Sequence, residues 1–178
     1  MPTSPRYSGP AIALHWLLAL ALFGLFGLGF YMTGLSMSYT LSLHDALPIW
    51  AGVTVLALSF LRLAWRLTHR PPPDVPMPAW QARAAHAAHI ALYVLFFAVP
   101  LVGWAYSSAA GFPVVWFGVL PLPDFVAPNR ELAELIKPLH AILAYTMAAI
   151  VMMHIAGAIK HQWIDRDGLL RRMWPGRA

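Results

Sequence analysis

Hydrophobic and polar positions along the chain fall into four long apolar blocks separated by polar connections. The blocks cover about residues 10–32, 48–67, 84–106 and 138–161. Each is dense in Leu, Ala, Val, Ile and Phe, and the polar interruptions are mostly histidines. A helix needs ~20 apolar residues to cross the hydrocarbon layer, so each block predicts one membrane-spanning helix. Barrel strands would be ~10 residues long with alternating character, and no such alternation is present. The first block is longer than the roughly 7–15-residue apolar core of a signal peptide. It also carries His15 and Trp16 near its start, which marks it as a retained span. Residues 33–47 read as a short polar loop. Residues 68–83 hold Pro71, Pro72, Pro73, Pro76 and Pro78, which cannot continue a helix and favour an extended spacer. Residues 107–137 read as the longest loop, with turns at Gly111-Phe112-Pro113 and at Pro121, Pro123 and Pro128. The expected fold is an all-α integral membrane four-helix bundle, a single transmembrane domain over residues 1–178 without internal repeats.

Composition sharpens this picture. Of 178 residues, 60% are hydrophobic and 11% charged, where globular domains carry roughly 25% charged residues. So few charges cannot coat a soluble globule of this length. The absence of cysteine excludes a disulfide scaffold and a Cys-ligated metal site. Arg6, Arg62, Arg66, Arg70, Arg83, Lys160, Arg166, Arg171, Arg172 and Arg177 fall on the side of the N-terminus, the second loop and the C-terminus. Only Arg130 and Lys137 fall opposite. This asymmetry places both termini in the cytoplasm by the positive-inside rule. The net charge of +5 therefore reports orientation and contact with anionic lipid headgroups, and no nucleic-acid partner is expected.

Ionisable side chains inside spans are costly and usually functional, and here they are mainly histidines. In the fourth block His140 and His154 are fourteen residues apart. That separates them by ~21 Å along a helix and leaves them within ~40° of one face. One helix thus offers two imidazoles to the bundle interior, one near each membrane surface. Imidazole is a common metal ligand, and bundles build cofactor sites from facing helices, so two stacked cofactors are expected. At the depth of His154, His15 and His89 compete as partner, with His86 nearer the headgroups. For His140 the candidate partner is His44. A closed zinc site wants four ligands, whereas a bis-histidine haem needs two and an apolar slot. Gly24, Gly27, Gly29, Gly52, Gly103 and Gly157 offer close approach to helix backbones, although membrane glycines also serve helix packing. Without a Cys-x-x-Cys-His motif the haem would be b-type.

A series of motifs runs in order along the chain: Arg6-Tyr7 followed by Ala13-Leu14-His15-Trp16, Gly52-Val53-Thr54-Val55-Leu56 with Arg62-Leu63, and Trp65-Arg66-Leu67-Thr68 before the prolines. Further on come Ala85-His86 with His89, the run SSAAGFP over 107–113, and His140, His154 and Lys160-His161. The tail adds Asp165-Arg166-Asp167-Gly168 with Leu170-Arg171-Arg172-Met173. In this order and spacing the motifs resemble those of the bacterial cytochrome b561 family. The likeness covers nearly the whole chain and implies a small four-helix cytochrome of the inner membrane with two b-type haems. By this resemblance His15 and His154 ligate the cytoplasmic haem and His140 one face of the outer haem. One segment departs from the pattern: where the family has a His-Lys pair four residues ahead of the glycine matching Gly52, this chain has Pro48 and Ile49. The octapeptide over 42–49, which includes His44, looks foreign to the family, as a translated sequencing adapter or an assembly error would.

The resemblance further implies electron transfer between a periplasmic donor and membrane ubiquinone. Members of the family include superoxide:ubiquinone oxidoreductases. Lys160 and His161, with Trp163 beside them, are candidates for the quinone site. Lys137 and Arg130 are candidates for guiding a small anion to the outer end, with Asp124, Glu131 and Glu134 opposing them. A periplasmic redox protein is the alternative donor. Two other functional classes are a cytochrome b subunit anchoring a larger dehydrogenase or hydrogenase, and a non-redox metal or proton transporter.

Overall fold

The structure, a computed structural model, describes residues 6–34 and 43–176, with side chains described for 6–31 and 49–176. Four long helices dominate: α1 (Gly9–Gly34), α2 (Leu43–Thr68), α3 (Ala79–Ala109) and α4 (Arg130–Lys160). All four are long and apolar enough to cross a membrane. Their outward faces carry large apolar side chains such as Phe23, Phe60, Ile90, Val94, Ile142 and Met152. A surface of this kind is stable only where lipid replaces water. The interior is correspondingly small, centred on Leu22, Leu95 and Met147 with Phe26, Phe96, Val99, Leu143 and Ile150 around them. The closest helix pairings are α3 with α4, α1 with α2, and α2 with α3.

The helices outrun the apolar blocks. Residues 130–137, expected in a loop, form the first two turns of α4. Hydropathy marks the part of a helix that sits in lipid, and charged turns beyond it leave no apolar signal. Asn129 starts this helix by accepting the Leu132 N–H at 3.0 Å, and Pro138 lies within it. The shortened outer connection holds a small antiparallel hairpin, β1 (Val115–Trp116) and β2 (Leu120–Pro121). The hairpin is pinned to α2 by the Trp116 indole, which donates to the Thr54 hydroxyl at 3.1 Å. The 107–113 motif turns at Gly111, whose φ of 79° favours glycine.

At the opposite end, α4 runs on through a π-helical turn (His161–Asp165) and the chain then folds back. The Trp16 indole donates to the Met173 carbonyl at 2.7 Å, and Arg6 to that of Trp174 at 2.5 Å. The Tyr7 N–H donates to the Arg172 carbonyl at 3.2 Å, and the buried Arg172 guanidinium to that of Pro73 at 2.7 Å. The start of α1, the proline-rich connection and the tail after α4 are thus tied together at the arginine-rich end.

Candidate functional site

Two layers of histidine occupy opposite ends of the bundle. At the end carrying the tail, His15 lies six residues into α1 and His154 six before the end of α4. Their rings meet edge-on, with centroids 6.3 Å apart and planes inclined at 63°. His89 of α3 approaches His154 more closely, at 5.3 Å, yet it is exposed where His15 and His154 are half-buried. Two imidazoles on opposite sides of one metal ion, each at a metal–nitrogen distance of about 2 Å, have centroids roughly 6 Å apart. The His15–His154 spacing fits that requirement, and the His89–His154 spacing is about an ångström short of it. His86 lies outside the layer, where it pairs with Asp74 at 3.0 Å on the surface.

At the other end stands His140 of α4. Its Nδ1 lies 3.1 Å from the Val99 carbonyl of α3. The carbonyl can only accept, so Nδ1 carries the hydrogen and Nε2 is left free to ligate, an arrangement typical of metal-binding histidines. Gly103 makes room for the ring: a Cβ there would come within 2.9 Å of His140 Cε1. Beside His140 opens a cavity of about 280 Å³. Its walls are mostly apolar and include Phe26, Gly29, Gly52, Phe96 and Tyr145. Gly29 faces open space. A nitrogen donor without a competing partner among the described residues, beside an apolar cavity bordered by glycines, fits a flat macrocycle such as haem. His44, the expected partner of His140, lies in the first turn of α2, and its side chain is outside the described residues.

The remaining candidates distribute between the two ends. Lys137 is exposed one helical turn before His140. Arg130, also exposed, starts α4 about 15 Å from His140 along the axis. Lys160 does not project freely: its ammonium donates to Asp165 at 2.5 Å and to Gln81 of α3 at 3.5 Å. His161 is buried, and its Nδ1 meets Asp167 at 2.5 Å and Asp165 at 3.3 Å. Trp163, two residues on, is exposed. Sequence reasoning gave no role to Asp167, or to the Val99 carbonyl. The first depends on a turn and the second on a main-chain atom, neither of which leaves a motif-like trace. From sequence, Gly103 signals only close backbone approach.

A family model described as prokaryotic cytochrome b561 matches residues 6–176. The chain belongs to the prokaryotic cytochrome b561 family. It is 36% identical over 174 residues to cytochrome b561 homolog 2 of Escherichia coli K12, covering 96% of this chain and 92% of the relative. With cytochrome b561 homolog 1 of the same organism it shares 35% over 179 residues, covering 97% and 98%. It is also similar to a probable superoxide oxidase of Yersinia pestis, 28% identical over 171 residues and 96% of each chain. As a cytochrome b561, the protein is a multi-pass protein of the bacterial inner membrane that binds b-type haem and transfers electrons across that membrane. The four apolar helices and the half-buried imidazoles of His15, His140 and His154 supply the architecture such a function needs.

Proposed function

We propose that this cytochrome b561 carries electrons from superoxide at the periplasmic face to ubiquinone at the cytoplasmic face, using two b-type haems. The observation that carries the reading is the placement of the imidazoles. His15 and His154 meet at one end, and His140, held by Val99, borders an apolar cavity at the other. A bound haem supplies one-electron oxidation and reduction at its iron. His15 and His154 would hold the inner haem from α1 and α4. His140 would hold the outer one, with His44 of α2 as candidate second ligand. The Val99 carbonyl and Gly103 fix the His140 ring, and the apolar lining keeps water from it.

Lys137 would draw a small anion towards the outer end, with Arg130 adding to the same field from further out. The likeness to the probable superoxide oxidase of Yersinia pestis supports superoxide as that anion. At the cytoplasmic end His161 would hydrogen-bond a quinone oxygen, with Trp163 beside it. Lys160, engaged by Asp165, would act through the charge of the site.

The test is a reduced-minus-oxidised spectrum of purified protein, haem quantified per chain, and ubiquinone reduction driven by enzymatically generated superoxide. Two haems per chain, a b-type α band and superoxide-dependent quinone reduction are expected. Colourless protein after expression with ample haem overturns the reading in favour of a metal or proton transporter. Reducible haem without superoxide-driven turnover overturns superoxide as the donor, in favour of a periplasmic redox protein or of a partner subunit.

A further inference from the structure

The cytoplasmic end of α4 holds four charged or titratable side chains in one connected group. The Lys160 ammonium pairs with Asp165 at 2.5 Å. Asp165 and Asp167 both approach the same nitrogen of His161, Nδ1, at 3.3 and 2.5 Å. Nε2 of that ring has no protein partner among the described residues. The backbone is specialised to produce this cluster. The π-helical turn over His161–Asp165 widens the end of α4, and such turns recur at functional sites. Arg166 then takes the left-handed conformation, φ 53°, uncommon for a side chain of its kind, and Gly168 follows at φ 75°. Between them Asp167 is turned back towards the helix, where its second oxygen accepts the Leu169 N–H at 2.9 Å.

We propose that Asp167 is a positioning residue for quinone reduction: it holds the Nδ1–H of His161, so that Nε2 is the atom that hands a proton to a quinone oxygen. This inference rests on the assignment of His161 to the quinone site. The carboxylate fixes the ring's rotation and tautomer, as buried acids do for catalytic histidines elsewhere. Charge supports the same division of labour. The Lys160 ammonium already balances Asp165, so Asp167 carries the negative charge that balances an imidazolium at His161. Across the gap, α3 presents the neutral Gln81 to Lys160.

The chemistry balances as follows. One quinone takes two electrons, supplied by two superoxide ions that leave as dioxygen, and two protons from the cytoplasmic side. For each proton passed on by the ring, the Nε2–H bond breaks and an O–H bond forms on the quinone. The imidazole is left neutral with Nδ1–H on Asp167, and Nε2 is recharged from cytoplasmic water. Exposure falls along the cluster, with side-chain values of 37% for Lys160, 30% for Asp165, 20% for Asp167 and 11% for His161. Water therefore reaches the acids more readily than it reaches the imidazole.

Asp167→Asn separates this role from a purely structural one, because the amide oxygen can still accept the Leu169 N–H while the charge is gone. The experiment measures superoxide-driven ubiquinone reduction by full-length, haem-loaded Asp167→Asn, Asp167→Glu, His161→Gln and the Asp167→Asn/His161→Gln double variant. For Asp167→Asn we expect kcat to fall roughly tenfold or more with KM for quinone within about twofold and an unchanged dithionite-reduced spectrum. Asp167→Glu should recover much of the loss, and the double variant should be no slower than His161→Gln alone. Asp167→Asn at full kcat, or additive losses in the double variant, overturns the proposal. If Asp167→Asn fails to hold haem, Asp167→Ser replaces it with the same expectation and the same overturning result. His161→Gln at full turnover removes His161 from the quinone site and takes this inference with it, an outcome distinct from failure at Asp167 alone.

Discussion

Gly103 of α3 lies directly against the imidazole of His140 on α4, so close that a methyl group at position 103 would come within 2.9 Å of the ring. The ring cannot swing away freely, because its Nδ1 is bonded to the Val99 carbonyl, one turn before Gly103 on α3. Gly103→Ala should therefore displace His140 and weaken the outer haem while leaving the His15–His154 end intact. Haem per chain, measured on purified protein, is expected to fall from about two towards one, with the remaining haem still six-coordinate. Two haems retained with unaltered spectra would show that the ring moves at no cost.

The inner layer offers a sharper choice. His15 and His89 both approach His154, at 6.3 and 5.3 Å, and only the first spacing leaves room for a metal ion between the rings. His15→Ala and His154→Ala are each expected to abolish the inner haem. His89→Ala should retain it, with at most a small shift of the α band. Loss of the inner haem in His89→Ala but not in His15→Ala would reverse the assignment.

Lys137 and Arg130 differ in distance from the outer site, so their effects should differ in size. Lys137→Glu reverses a charge one helical turn from His140 and is expected to lower the second-order rate with superoxide by about threefold or more at low salt. Arg130→Glu should have a smaller effect, and both should fade as ionic strength rises. Equal effects, or none, measured by stopped-flow at two salt concentrations, would remove Lys137 as a guide.

The tail contacts predict a stability effect far from either imidazole layer. Trp16→Phe keeps the ring but deletes the indole donor to the Met173 carbonyl. The loss should be about 1 kcal/mol, seen as a lowered Tm of the detergent-solubilised protein with haem content unchanged at low temperature. Arg172→Ala should cost more, because the bond it removes, to the Pro73 carbonyl, comes from a charged and buried donor.

At the start of α2, Pro48 and Ile49 stand where the resemblance to the family leads one to expect His and Lys. Pro48→His with Ile49→Lys should tighten retention of the outer haem, read as haem per chain after dilution. Resequencing the source DNA is expected to return a different octapeptide over 42–49. The same eight residues recovered, together with no gain from the double substitution, would make this segment native and leave His44 as the natural partner.

The number and order of spans were legible because apolar runs of this length have few other readings, and the paired depth of His140 and His154 followed from helical periodicity alone. Helix ends were less legible. Arg130 to Lys137 carry charge and precede a proline, so they read as loop, yet Asn129 caps a helix that begins there. Depth alone leaves both His15 and His89 open as partner of His154, since both lie on the same side of the membrane on different helices, and it is the family resemblance that points to His15. The lateral spacing of α1, α3 and α4 supports the same choice. The acids of the tail were visible as letters only. Their approach to His161 arises from a π-helical turn and a left-handed arginine, which no hydropathy pattern encodes.

The folded-back tail has a consequence for the inner pair. His15 and His154 sit on the two helices that begin and end the bundle, and nothing in a lipid bilayer by itself keeps the first and last helices in step. The bonds of Tyr7 to Arg172, of Trp16 to Met173 and of Arg6 to Trp174 join them at the arginine-rich end. The gap between the two imidazoles is therefore clamped by the tail, and cutting the chain after Asp167 would loosen a site whose ligands all remain in place.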